Sequence, residues 1–287
     1  MRESSNPVMR GVVRDNEKAA APYAGFNQAI PGAQNAVLDA AGQPTYAPAP
    51  AGRALTIDDV VTKTGITLGV LSVVAVAAYA LIGANPGLAL PVWAVGGIGG
   101  FVLVLIASFG RKQDNPAIVL SYAAFEGLFV GAASYVFSHW NIAGGTADGG
   151  TNAGALIGQA ILATIGVFVG MLVVYKTGAI RVTPRFTRML VAGLIGVVVL
   201  ALGNFVISLF THQVGILRDG GPIAIIFSLV CIGLAAFSFL VDFDQADRLI
   251  HAGAPSKAAW GVALGLTVTL VWLYVEILRL LSYFQRN

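Results

Sequence analysis

The chain has little charge for its length. Aspartate, glutamate, lysine and arginine make up 11% of its 287 residues, whereas a soluble domain carries about 25%. Apolar residues make up 56%, and the mean hydropathy is +0.78. A chain of this composition cannot cover a folded core with a polar surface. The composition therefore predicts a polytopic membrane protein and argues against a soluble one.

Reactive side chains are also scarce, which excludes several kinds of site. Cys231 is the only cysteine, so neither an intramolecular disulfide nor a zinc cluster built on cysteines can form. His139, His212 and His251 fall in predicted loops, without the spacing of metal ligands or of a nucleophile and its base. No glycine-rich phosphate loop follows a strand. We therefore expect no enzymatic activity, cofactor, fixed metal site or nucleic-acid partner.

Seven long apolar segments follow a polar N-terminal region. Residues 1–55 are rich in Ala, Pro, Gly, Asn and Gln and have no helical or strand period, which predicts a disordered cytoplasmic tail. The motif TIDD then predicts a helix start with Thr56 as the N-cap. Each later segment is near or above the roughly 20 residues that a helix needs to cross a bilayer. The sequence thus predicts an all-α domain over residues 56–287 with seven transmembrane helices, at 65–84, 88–109, 117–138, 154–175, 187–210, 222–243 and 260–284.

The basic residues predict the orientation of these helices. If the N-terminus is cytoplasmic, only three of the 17 Lys and Arg residues lie on the outer side, namely Arg218, Arg279 and Arg286. Cytoplasmic loops carry an excess of Lys and Arg. The loop NIAGGTADGGTNAGA, which would then be outside, contains neither. We therefore expect a cytoplasmic N-terminus and, after seven spans, a C-terminus outside.

Four acidic residues fall within or at the ends of the predicted spans: Glu126, Asp242, Asp244 and Glu276. An ionised carboxylate at mid-bilayer costs at least about 2.5–3.5 kcal/mol, so such a group is protonated, paired or turned to a wet cavity. Eleven residues follow Glu276, which corresponds to about 16 Å of helix. This places Glu276 near the midplane of the bilayer and makes it the first candidate for a functional acid.

The neighbours of these acids leave alternatives open. Glu276 can form a structural ion pair with Arg279, three residues on. Asp244 can pair with a basic residue one turn later as a solvated charge at a helix end. Asp242 lies about 200° away from Asp244 around the helix, on a face that is predicted to point inward. Glu126 has no cation on its own segment, so we expect a protonatable role for it.

Three stretches carry a resemblance to a known family: NPAIVLSYAAFEGLFVGAASYVF, FSFLVDFDQADRLI and LVWLYVEILRLL. They are similar to the Bax inhibitor-1/YccA family, also called the transmembrane Bax inhibitor motif family, over about residues 57–284. The opening SSNPVM resembles a subgroup of bacterial members. The resemblance implies a multi-pass protein of a bacterial inner membrane, in which six helices surround a central seventh.

The resemblance also implies a function and the residues that carry it. Family members studied as channels are pH-sensitive calcium leaks, gated by a hydrogen-bonded carboxyl pair on the last two helices. When the chain is aligned on the family's motif, Asp244 takes the first position of this pair and Glu276 the second, where aspartate is usual. The position around the helix instead favours Asp242 as the acid that points inward. Arg111 matches an arginine latch at the cytoplasmic end of the second helix. Some family members also have an acid partway along the second helix, and this chain has no match for it. Glu126, on the third helix, would take its place.

A shared proton is the expected gating device. Two carboxyls a hydrogen bond apart cannot both ionise easily, so they share a proton. Sharing would hold the last two helices together. Loss of the proton would let water into the ion path between these helices and let Asp244 and Glu276 bind Ca²⁺ transiently. Ca²⁺ or H⁺ is then the permeant or regulating ion. Two other functions stay open: a non-conducting regulator of a membrane protease, docked through the tail, and a proton-coupled transporter of a small solute.

The predicted orientation can be tested with reporter fusions. Alkaline phosphatase is active only outside the cytoplasm, so we expect activity when it is fused after Asn287 and none when it is fused after Lys257. Green fluorescent protein at the same two positions should give the reverse pattern. Fluorescence from the fusion at Asn287 would overturn the assignment.

Overall fold

The computed structural model describes residues 36–38, 44–46, 53–139, 150–211 and 215–284. The chain forms two compact units, Met1–Ala51 and Gly52–Asn287. In the first unit, strand β1 (Ala36–Leu38) pairs in antiparallel register with β2 (Pro44–Tyr46). The other residues of the predicted disordered tail, up to residue 52, lie outside the described residues.

Seven long helices make up the described part of the second unit. Each is long and apolar enough to cross a membrane, which confirms the predicted number of spans. Short 3₁₀ turns, Pro86–Leu88 and Ser256–Ala258, lead into the second and seventh helices. In chain order the helices are α1 (Ile57–Ala84), α2 (Ala89–Phe109), α3 (Pro116–His139), α4 (Gly150–Thr177), α5 (Pro184–Thr211), α6 (Pro222–His251) and α7 (Ala259–Phe284).

Helix α1 begins with the predicted N-cap. The backbone N–H of Asp59 donates to Oγ1 of Thr56 at 3.3 Å, and the backbone N–H of Thr56 donates to Oδ2 of Asp59 at 3.1 Å. This reciprocal pair is a capping box, which satisfies two backbone donors that a helix start leaves free. The chain just before it is tied down as well, because the N–H of Leu55 donates to the carbonyl oxygen of Ala254 at 2.8 Å.

Helix α6 is longer than its apolar segment predicts. It ends at His251 and not near residue 243, because polar residues continue the helix past the apolar stretch. Arg248 Nε lies 2.7 Å from Asp244 Oδ2, an i,i+4 pair that supports the last turns. Arg248 and His251 also lie in the last turn, where positive charge suits the helix dipole.

Helix α7 lies at the centre of the bundle. Within an apolar stretch of 18 residues of α7, 72% of the residues are buried, against at most 50% in the corresponding stretch of each of the other six helices. It packs against α1, α3, α4 and α6. By contrast, Phe109 at the end of α2 and Phe210 near the end of α5 are 84% and 82% exposed, as expected for side chains that face lipid. The arrangement places α7 at the centre, with four of the other six helices packed on it; a ring of all six around it and the orientation across the membrane stay predictions.

Close packing of α1 on α3 depends on glycine. A Cβ at Gly127 would lie 2.6 Å from the carbonyl oxygen of Leu71 and 2.8 Å from Cβ of Val74, so the two helices approach more closely than any side chain would allow. The similar step Gly166–Gly170 on α4 is different, since a Cβ at either position would meet nothing within 4 Å. Gly131, four residues after Gly127, also contacts α1, since a Cβ there would lie 2.8 Å from Cβ of Ala78. Of the two glycine steps, only Gly127–Gly131 is therefore a helix contact in the described structure.

These two environments predict opposite effects of the same substitution. Gly127→Ala should lower the free energy of unfolding by about 1–3 kcal/mol, because α1 must move away from α3. Gly166→Ala, the matched control, should be neutral or stabilise by up to about 1 kcal/mol through helix propensity. Thermal unfolding in detergent micelles, followed by circular dichroism, measures both. Equal midpoints for the two variants would contradict the packing argument.

Candidate functional site

A cavity of about 300 Å³ lies between α3, α5, α6 and α7. Most of its wall is apolar, but four charged residues line it as well: Glu126, Arg218, Glu276 and Arg279. Three of them are within transmembrane helices, and Arg218 is in the connection between α5 and α6. Ionisable groups inside a membrane are rare and usually functional. We refer to this space as the polar cavity.

The carboxylate of Glu276 has the most complete set of partners in the cavity wall. Glu276 is 3% exposed. Oγ of Ser228 donates to its Oε1 at 2.9 Å, and Nη1 of Arg279 lies 3.1 Å from Oε1 and 2.9 Å from Oε2. Ser228 lies on α6 and Arg279 one turn later on α7. A buried charge is tolerated only with such pairing and hydrogen bonding. The carboxylate of Glu276 is therefore fully partnered, and through Ser228 it links α7 to α6.

Arg279 extends this link to a third helix. Its side chain is 11% exposed, and its guanidinium carbon lies 5.7 Å from the ring centroid of Phe137 on α3, within the range of a cation–π contact. The ion pair between Glu276 and Arg279, which the sequence left as an alternative, is present. It is therefore part of the packing between α3, α6 and α7.

Arg218 brings a second guanidinium to the cavity from the connection between α5 and α6. Burial of the guanidinium and then the positive charge of Arg279 lower the pKa of Arg218, while the charge of Glu276 raises it. Arginine nevertheless stays protonated in proteins. The cavity thus holds two fixed positive charges, of which one is paired with Glu276.

Glu126 supplies the second carboxyl of the cavity. It lies on α3, half-buried, and its Oε2 lies 2.5 Å from the position that a Cβ would take at Gly100 of α2. A side chain at that position would require the carboxyl group of Glu126 to move. The acid from α3 therefore packs against α2, and Glu126 and Glu276 line the same cavity from different helices.

The two aspartates of α6 lie elsewhere. Oγ1 of Thr269 donates to Oδ2 of Asp242 at 2.7 Å, so Asp242 is the acid that contacts α7. Asp244 pairs with Arg248 at 2.7 Å, and their side chains are 23% and 70% exposed. Thr269 precedes Glu276 by seven residues, which is about 10 Å of helix. In the described structure no hydrogen bond joins Glu276 to Asp242 or Asp244.

The expected carboxyl pair between the last two helices is therefore not formed in this structure. The two acids lie at different heights along α7, because Thr269, the partner of Asp242, precedes Glu276 by about two helical turns, and each acid already has its own donors. Ser228 and Arg279 bind Glu276, and Thr269 binds Asp242. The transient Ca²⁺ site expected at Asp244 and Glu276 is not assembled either. Among the described residues no three His, Cys, Asp or Glu side chains cluster as metal ligands.

Arg111 lies at the loop end of α2, where the family resemblance places a latch. It is exposed and has a φ of +52°, a backbone conformation that is uncommon outside glycine; its latch role stays a prediction. Two other contacts at this end of the bundle hold the connection between α6 and α7 to its neighbours. Lys257 Nζ lies 2.9 Å from Asp114 Oδ2, and this hydrogen bond lowers the pKa of Asp114. Lys63 Nζ donates to the carbonyl oxygen of Ser256 at 2.5 Å.

Sequence reasoning missed two members of the site, Ser228 and Arg218. Ser228 is buried three residues before Cys231, on the face of α6 that was predicted to point inward, and that spacing could have marked it. Arg218 had no such signal, because it belongs to a non-helical connection whose path is set by distant residues. One of these is Asn204 of α5, whose Oδ1 accepts the N–H of Leu217 at 3.2 Å.

The paired charges of the cavity make a stability prediction. Arg279→Met leaves the buried carboxylate of Glu276 without its counter-ion, so the free energy of unfolding should fall by about 3–5 kcal/mol. Arg248→Met, the matched control, removes the partner of the more exposed Asp244 and should cost at most about 1 kcal/mol.

Denaturant titration in detergent micelles measures both losses. The double variant Glu276→Gln/Arg279→Met should recover much of the loss, because no unpaired charge remains. A double variant less stable than Arg279→Met alone would show that the ion pair does not explain the effect.

Comparison with known proteins agrees with the fold. A search of curated protein sequences finds no match to the chain. A family model described as Bax inhibitor 1 like matches residues 6–286, which is nearly the whole chain. The match includes all seven helices and every residue of the polar cavity. This chain belongs to the Bax inhibitor 1-like family of multi-pass membrane proteins.

Proposed function

We propose that this protein is a pH-sensitive cation leak channel of a bacterial inner membrane, with Ca²⁺ as the expected permeant ion. The polar cavity would be part of the permeation path. The observation that carries the proposal is the pair of carboxyls, Glu126 and Glu276, on the wall of one cavity inside the membrane. A membrane span without a polar task would not contain them at their desolvation cost. The proposed role is transport and includes no enzymatic reaction.

The charges around Glu276 give the direction of the pH effect. Arg279 faces it from α7, Arg218 from the α5–α6 connection and Glu126 from α3, while Ser228 and Cys231 line the α6 side. With both glutamates ionised, the two carboxylates balance the two guanidiniums, and their oxygens suit Ca²⁺. With both protonated, the cavity is net positive and repels cations. Cation flux should therefore fall when the two glutamates become protonated.

The carboxylate of Glu276 would also act as the gate. Glu276 ties α7 to α6 through Ser228 and, through Arg279, to α3, so an ion that binds its oxygens competes with the contacts that close the bundle. Glu126 takes the place of the expected second carboxyl in this proposal. Asp242, held by Thr269 toward the predicted cytoplasmic end of α7, would give a permeating cation a further carboxylate.

Calcium flux in vesicles tests the role of Glu276. Purified protein in dye-loaded vesicles should leak Ca²⁺ faster at neutral than at acidic pH. Glu276→Gln, neutral at every pH, should leak slowly and lose most of the pH dependence. Asp244→Asn, the matched control, alters an acid outside the cavity and should keep the parent's profile. A Glu276→Gln profile that titrates like the parent's would remove Glu276 from the mechanism.

The native Cys231 gives a second, independent readout. It is the only cysteine of the chain and lines the polar cavity, so its reaction with a charged methanethiosulfonate reagent reports whether water enters. We expect labelling to quicken under the conditions that raise flux. If the vesicles leak no Ca²⁺ at any pH, the channel proposal fails. Co-purification of a membrane protease would then favour the regulator, and solute uptake driven by a pH gradient the transporter.

A further inference from the structure

A second hollow, of about 400 Å³, lies between α1, α3, α4 and α7. We refer to it as the apolar groove, because nearly all of its lining is hydrocarbon. α1 and α4 each pack on α3 and α7 but hardly touch each other within the described residues, and this gap forms the groove. Val271 and Tyr274 of α7 form part of its floor, and Val271 also lines the polar cavity.

The groove opens toward the lipid. Its rims carry Val76 of α1, which is 70% exposed, and Ile161 and Ile165 of α4, which are 45% and 53% exposed. Its floor is buried, since Val271 and Tyr274 are 5% and 8% exposed. The rims belong to the surface that the membrane-spanning helices already present to hydrocarbon. A lipid chain can therefore reach the floor laterally without leaving the bilayer.

Water is a poor occupant of this space. Oγ of Ser134 donates to the carbonyl oxygen of Val130 at 2.7 Å and lies 2.8 Å from Oη of Tyr274. The hydroxyl of Thr164 donates to the carbonyl oxygen of Ala160 at 2.7 Å. These polar groups are satisfied by the protein, whereas a buried water needs two to four partners. An empty groove would forfeit the dispersion contacts of its lining.

One end of the groove has the character of a membrane interface. Tyr79 of α1 lines the groove, and its ring packs edge-on to Tyr135 with centroids 5.7 Å apart. Tyr135 in turn stacks on His139, the last residue of α3, at 4.1 Å. Tyrosines are enriched where the bilayer meets water. A lipid whose chain lies in the groove would thus have its headgroup beside this aromatic cluster.

We infer that the apolar groove is a binding site for one acyl chain of a membrane lipid. Its volume falls within the range of ligand pockets, about 300–1,000 Å³. Because lipid tails are as apolar as the lining, affinity must come from packing and shape and not from the hydrophobic effect. Binding would hold α1 and α4 at a fixed separation across α7, whether or not the protein conducts ions.

Photolabelling tests this site on the full chain. The protein is reconstituted into dioleoylphosphatidylcholine vesicles that contain a small fraction of the same lipid with a diazirine on one acyl chain. After illumination, labelled peptides are mapped by mass spectrometry. We expect labels concentrated on the rims and floor of the groove. Ser72→Phe, which places a ring at an exposed lining position, should remove most of this labelling.

Matched variants keep the result interpretable. Val198→Phe adds the same ring to the lipid-facing surface of α5, where Val198 is 55% exposed, and should leave the labelling of the groove unchanged. Val76→Trp fills the groove from an exposed rim position and should repeat the effect of Ser72→Phe. Labels spread evenly over all lipid-facing helices, or unchanged in both filling variants, would overturn the site.

Discussion

The carboxylate of Glu276 is buried at 3% exposure in a segment that otherwise suits lipid, and the surrounding helices are arranged to meet its needs. Ser228 of α6 donates one hydrogen bond and Arg279 donates two more. The guanidinium then contacts Phe137 of α3. A charge in this position binds three helices together because each supplies a group that the carboxylate or its counter-ion cannot lose cheaply. The central place of α7 and the polar cavity beside it both depend on this network.

The polar cavity and the apolar groove lie against the same central helix but differ in chemistry. The polar cavity brings together Glu126 of α3, Glu276 and Arg279 of α7, and Arg218 of the α5–α6 connection. The groove is lined almost entirely by hydrocarbon, and the hydroxyls of Ser134, Tyr274 and Thr164 in its wall are already hydrogen-bonded. α7 is therefore in contact with charge on one side and with hydrocarbon on another. A change in either environment would therefore affect the packing of α7 against α3 and α6.

Much of the fold could be predicted because it depends on local patterns. Apolar runs of sufficient length gave the seven helices, and the TIDD motif gave the start of α1 at its cap. Glu276 was singled out because a carboxylate inside the bilayer needs shelter, and it is buried. The pairing of Glu276 with Arg279 could also be foreseen, since residues three apart on a helix share a face. Each of these features needs only one segment of chain.

What could not be predicted depends on how two helices are set against each other. The hydroxyl of Ser228 reaches Glu276 across 48 residues of chain, and Lys257 reaches Asp114 between two loops. The expected pair of Asp244 with Glu276 is absent from this structure for the same reason. A family register says which residues correspond but not how far α6 slides along α7, and here Thr269 stands opposite Asp242.

Val271 lines both hollows, so one residue of α7 borders the polar cavity and the apolar groove. In the groove its neighbours are almost all hydrocarbon, whereas the wall of the cavity also carries four charged residues. A shift of α7 by a fraction of a helical turn would alter both compartments at once. A lipid chain bound in the groove would in this way influence the electrostatics of the protein's interior.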